Sequence, residues 1–147
     1  NYLSNREHSD GKHGYDHDHL NIEIKPPNYT GKSKLNGGGG FSDFTWKRHR
    51  KYLDDNVTMS LSGFDNGKVL YILEIPYKIL ADRIEEQLIA RLPNGDLPNN
   101  YVRSASFNFK HYSESDIKVV FVSPNIRSHK HAMVKKLFDF LTKKGEN

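Results

Sequence analysis

Glu23-Ile24-Lys25 is the tripeptide whose residue types and spacing could do chemistry. It closes Leu20-Asn21-Ile22-Glu23-Ile24-Lys25, which alternates apolar and polar residues with the period of a half-buried strand. On a strand, Glu23 and Lys25 share a face, about 6–7 Å apart. A carboxylate there can bind a hard divalent cation. An ammonium beside it can orient a water or hold a scissile phosphate. Phosphodiester hydrolysis needs both parts and a second acidic ligand, because the ion must offset developing charge and activate water. The competing interpretation is a solvated strand face whose Glu and Lys pair weakly with their neighbours.

Upstream lie Arg6-Glu7-His8-Ser9-Asp10 and Asp16-His17-Asp18. Folding this segment back as a hairpin would bring an aspartate across from Glu23. Asp18 stands five residues before Glu23, an odd separation that sends it to the opposite face. Asp10 and Asp16 both remain candidates. His8, His13, His17 and His19 crowd the same stretch. His17 and His19, two apart, could together bind a metal through nitrogen, as in zinc hydrolases. No His-x-x-x-His spacing accompanies them, which favours an exposed polar hairpin tip.

Several elements must position these groups. Residues 26–40 combine Pro26, Pro27, Gly31 and the run Gly37–Gly40, and are expected to form a loop that holds neither helix nor strand. Ser42 or Asp43 is the expected N-cap of a helix reaching about Leu53. That helix carries Trp46-Lys47-Arg48-His49-Arg50-Lys51-Tyr52. Lys47 to Lys51 suit phosphate contacts, and His49 or Arg50 could reach a base edge in a major groove. Val57–Gly63 and Val69–Ile75 read as a hairpin turning at Asp65-Asn66-Gly67. Ile79–Leu92 reads as an amphipathic helix ended by Pro93. A strand then places Arg103, Ala105, Phe107 and Phe109 on one face, with Phe107 and Phe109 expected in the core. Ile117–Val122 reads as a buried strand. A last helix presents Met133, Leu137, Phe138 and Leu141 as its apolar stripe and lysines outside. The expected fold class is mixed α/β (α+β), a mixed β-sheet flanked by helices, in a single domain over residues 1–147.

Composition narrows the classes. The chain has 147 residues, no cysteine and a net charge of +4. Thiolate zinc sites, disulfide frameworks and cysteine nucleophiles are thereby excluded, and a reducing cytoplasm is the expected compartment. No apolar run approaches the ~20 residues of a membrane span, so no membrane partner is expected. Tyr101–Asn147 holds nine Lys/Arg against four Asp/Glu, a bias compatible with a polyanionic partner. The chain opens on Asn1 rather than Met, and a preceding N-terminal segment is expected.

The order acidic residue, strand with Glu-x-Lys, helix, further strands resembles the PD-(D/E)XK nuclease superfamily, and within it the small type II restriction endonucleases. Arg6-Glu7-x-x-Asp10, Glu23-Ile24-Lys25 and Phe41-Ser42 carry the likeness, as do the strand–turn–strand–helix order of Val57–Leu92 and the segment Asn99–Val102. It covers roughly Arg6 to His111. The resemblance implies a restriction-endonuclease-like fold, with Asp10 and Glu23 as Mg²⁺ ligands, Lys25 as catalytic lysine and the Ile24 carbonyl as a further ligand. It also implies double-stranded DNA as substrate, a 5′ phosphate left after in-line displacement, and DNA-reading residues in or before the Lys47–Lys51 helix. Cutting both strands of a symmetric site implies a homodimer. Ser9 stands where the family has proline. The readings set against it are a non-enzymatic nucleic-acid-binding module and a histidine-metal hydrolase.

Overall fold

Period-2 alternation builds the central sheet of this computed structural model, which describes residues 15–16 and 21–145. Strands β1 (Tyr15–Asp16), β2 (Asn21–Glu23), β5 (Thr58–Asp65), β6 (Lys68–Pro76) and β8 (Lys118–Val122) lie side by side in that order. β1 is antiparallel to β2, β2 is parallel to β5, and β5–β6–β8 run antiparallel. The short β3 (Asn28–Tyr29) pairs with the far end of β5, on residues Phe64 and Asp65. Pro26 and Pro27 cannot donate to a ladder, so they interrupt the chain's course along β5 without ending it. Phe64 N–H still bonds the Pro27 carbonyl at 3.0 Å.

The core lies on one face of this sheet. Ile22, Ile24, Met59, Leu61, Leu73 and Ile75 are buried there. They pack with residues from a second, two-stranded sheet of β4 (Gly39–Phe44) and β7 (Val102–Phe107), and from α1 (Trp46–Asp54) and α2 (Tyr77–Arg91). α3 (Lys135–Gly145) buries Leu137, Phe138 and Leu141, and Met133 is buried just before it. The fold is therefore mixed α+β, as the alternation of periods led us to expect. Among the described residues, no helix is long and apolar enough to cross a membrane.

Three expectations need correction. The glycine run does hold a strand: Gly39 and Gly40 pair with Phe107 and Ser106. The reason is close packing, since a Cβ at Gly39 would sit 2.7 Å from Ile24 Cγ2, and one at Gly38 2.6 Å from the Phe107 carbonyl oxygen. The following helix consequently starts later. Thr45 is its N-cap and accepts from Arg48 N–H at 3.2 Å, while Ser42 and Asp43 belong to β4. β8, expected as a buried strand, is an edge strand in which Lys118 and Phe121 are exposed. Its apolar residues cover one side of a sheet margin and are not enclosed between two layers.

The 3₁₀ turn Phe109–His111 after β7 carries a pH-sensitive cap. His111 Nδ1 accepts from Asn108 N–H at 2.9 Å, and the Asn108 side chain accepts from Lys110 N–H at 3.1 Å. Burial, then the Arg83 and Lys110 charges, hold His111 below the ordinary histidine value. The fold prefers the neutral ring, so the unfolded chain protonates first as pH falls. The stability this group carries is complete above about pH 6.5 and is lost on acidification below it. Melting temperature is expected to fall more steeply from neutral to acidic pH in the wild type than in His111→Gln. Parallel curves would remove His111 as the cause.

Candidate active site

Backbone pairing aligns a row of side chains across the face of the sheet opposite Ile22 and Ile24. Glu23 on β2 stands opposite Ser60 on β5, Ser60 opposite Glu74 on β6, and Glu74 opposite Lys118 on β8. Ile22 and Ile24 turn into the core, which leaves Glu23 and Lys25 exposed on the other face, as the alternation predicts. Ile24 N–H bonds the Ser60 carbonyl at 2.9 Å, extending the parallel pairing past Glu23 toward Lys25.

The choice of second acid gains a criterion from β1. Tyr15 pairs with Ile22 and Asp16 with Asn21. Directly paired residues occupy one face of a sheet. Position 16 therefore shares the face of Asn21 and Glu23, diagonally one strand away from Glu23, a separation of about 7–8 Å. Asp10, Asp18 and the four histidines His8, His13, His17 and His19 lie outside the described residues.

Glu74 belongs to the row too, a residue that no sequence motif singles out. Its side chain is 15% exposed and lies 3.9 Å from Lys118 Nζ. With Lys118, Asp116, Ile117, Thr58 and Pro76 it lines a cavity of about 350 Å³. No local pattern marks it, because its place depends on a register shift. Asp65 pairs with Lys68 and Phe64 with Val69, but Gly63 pairs with Tyr71. One extra residue on β6 moves Glu74 opposite Ser60; an unbroken ladder would send it to the apolar face. The bulge sits where the Tyr71 ring lies over Gly63, at which a Cβ would meet ring carbon Cε2 at 2.5 Å. Burial pushes the Tyr71 hydroxyl well above the ordinary tyrosine range.

The donor types present, a Glu23 carboxylate, a main-chain carbonyl at Ile24 and an aspartate position on the paired strand, are all oxygen. That chemistry suits a hard cation such as Mg²⁺. Among the described residues, no three His, Asp or Glu side chains gather where they could hold a metal ion.

The basic helix α1 is used differently from the sequence reading. His49 is buried, with Nδ1 2.7 Å from the Tyr77 hydroxyl and Nε2 3.2 Å from Glu85 Oε2. Burial raises the Tyr77 hydroxyl far above its usual range, so it stays protonated beside the imidazole. His49 therefore faces the core and reaches no base edge. Arg48 lies over the Phe44 ring, bonds the Tyr52 hydroxyl at 2.7 Å and donates to the Ser42 carbonyl at 2.8 Å. Lys51 pairs with Asp55 at 2.9 Å. Lys47 and Arg50 are exposed. Asp96 closes the helix start, accepting from Trp46 N–H at 2.8 Å and Lys47 N–H at 2.9 Å. The chain thus supplies its own anion to that end of α1.

Comparison with protein-family models, with curated proteins and with solved structures returns no match for this chain.

Proposed function

We propose that this protein is a metal-dependent endonuclease that hydrolyses phosphodiester bonds of double-stranded DNA, of the restriction type and acting as a homodimer. The observation that carries the reading is the exposure of both Glu23, on β2, and Lys25, two residues on, with position 16 paired beside Asn21. Glu23, Asp10 or Asp16, and the Ile24 carbonyl would hold Mg²⁺. When bound, the ion supplies charge neutralisation at the scissile phosphate and a more acidic water. Lys25 holds the phosphate and directs the attacking water in line with the leaving 3′ oxygen.

The test is incubation of the purified protein with long, unmethylated linear DNA in Mg²⁺ and in EDTA, resolved on a gel. Discrete Mg²⁺-dependent fragments are expected, and their ends would define the site. A smear would remove the restriction assignment and leave a nonspecific nuclease. Intact DNA in both lanes would overturn the enzyme reading in favour of a nucleic-acid-binding module.

A further inference from the structure

Two stretches of this chain carry basic residues and no acid at all. Residues 24–42 hold Lys25, Lys32 and Lys34. Residues 117–138 hold Lys118, Arg127, Lys130, Lys135 and Lys136, together with His129 and His131. Far apart in sequence, they are joined by the fold. Leu35 N–H donates to the Ala132 carbonyl at 2.8 Å, and Val134 N–H donates to the Leu35 carbonyl at 2.9 Å. The Tyr29 ring meets the His131 ring edge-on, with centroids 5.7 Å apart.

This junction brings Lys32 and Lys34 from one side beside Lys130, His131, Lys135 and Lys136 from the other, all of them exposed. Beneath it lies the buried carboxylate of Asp65 at the end of β5. Its Oδ2 lies 2.7 Å from His129 Nδ1 and 3.1 Å from His131 Nε2. Its Oδ1 accepts from the Asn66 amide at 3.2 Å. Asp65 thus ties the 3₁₀ segment Ile126–Ala132 to the sheet, and the basic groups are presented on an anchored backbone. Lys135 also pairs with Asp139 at 2.7 Å, an exposed pairing of little worth. Gathering like charges costs self-repulsion, and the arrangement gains only against a polyanion.

We propose that this junction is a phosphate-binding surface for duplex DNA, with one strand's backbone running from Lys25 past Lys32 and Lys34 to Lys130 and the start of α3. The proposal takes DNA as partner from the nuclease reading. It differs from the α1 interface expected from the sequence, where His49 and Arg48 are occupied inside the fold.

The experiment is binding of the full chain to a short DNA duplex in EDTA, across a salt series, for wild type and for K32A/K34A/K130A/K136A. Four lost phosphate contacts should lower the slope of log K against log salt by about 3–4, and affinity near ~0.1 M salt by a factor on the order of 10²–10³. K78A/R91A, which removes two exposed charges from α2, serves as a control for loss of charge elsewhere and should bind nearly as wild type. The four lysines are exposed, so circular dichroism and melting are expected to be unchanged. Unaltered binding by the quadruple variant, or no binding by wild type, would overturn the surface. Lysine-dependent binding to phosphatidylserine vesicles in preference to DNA would overturn it as well. Cleavage by wild type with unaltered binding by the variant would sink the surface and spare the nuclease reading. Lysine-dependent binding without any cleavage would do the reverse.

Discussion

Lys25→Ala is expected to lower Mg²⁺-dependent DNA cleavage by a factor on the order of 10²–10⁴, the range set by losing a positioned proton-transfer or charge-stabilising group. Lys25 is exposed, so its truncation leaves the core untouched and the melting temperature within about a degree or two of wild type, as surface changes do. Binding should survive, because one lost phosphate contact alters the salt slope by only about 0.9. Lys25→Arg should not restore cleavage. A guanidinium keeps the charge but is planar and spreads it over a fork, where an ammonium is a compact point charge. Single-turnover cleavage beside binding in EDTA separates the two effects. Cutting by Lys25→Ala at near wild-type rate would remove Lys25 from the site and leave Glu23-Ile24-Lys25 as an ordinary solvated strand face.

The second large effect is expected at Gly39, far from any charge. A methyl there would approach Ile24 Cγ2 to 2.7 Å, with Leu61 Cδ1 and Phe107 Cζ both at 3.0 Å. None of these side chains can swing into solvent, since all three are core residues. Gly39→Ala should therefore behave as an overpacked core substitution and cost about 1–3 kcal/mol. For a chain of this size that is a fall of roughly 3–10 °C in melting temperature. The strain is delivered to Ile24, the residue between Glu23 and Lys25. Cleavage measured well below the melting transition should thus fall more than the loss of folded protein explains. Urea denaturation and cleavage on the same samples test both halves. Unchanged stability would mean that β4 has room to move away from β2.

Local patterns carried much of this fold. Alternation across Ile22–Lys25 needs only neighbouring residues, and it placed Glu23 and Lys25 outward. Asp65-Asn66-Gly67 announced its own turn, because Asn66 and Gly67 take positive φ of 48° and 83°. The spacing of Ile84, Leu88 and Leu92 likewise marked the buried stripe of α2, with Leu92 as its buried C-cap. In each case the physics is short-ranged, a steric preference or a periodicity.

Other features depended on partners distant in sequence. Glycine has poor strand propensity, and Gly37–Gly40 read as a break. Its strand exists because β7 pairs with it and because only a bare backbone fits against Ile24 and Phe107. The charges of α1 were legible, but their orientation was not. His49 faces inward because Tyr77 and Glu85, on another helix, satisfy its nitrogens. The basic junction around Leu35 and Met133 joins two stretches that no local pattern connects.

The sequence alone determined the outward strand face bearing Glu23 and Lys25, since a period of two requires nothing beyond adjacent residues. Only the tertiary structure decided which groups share that face. The backbone position of residue 16 is set beside Asn21 by the pairing of β1 with β2, and Glu74 reaches that face through one extra residue at the Gly63–Tyr71 bulge. A single-residue shift in register exchanges the two faces of a strand, and register is set by packing across strands rather than along them.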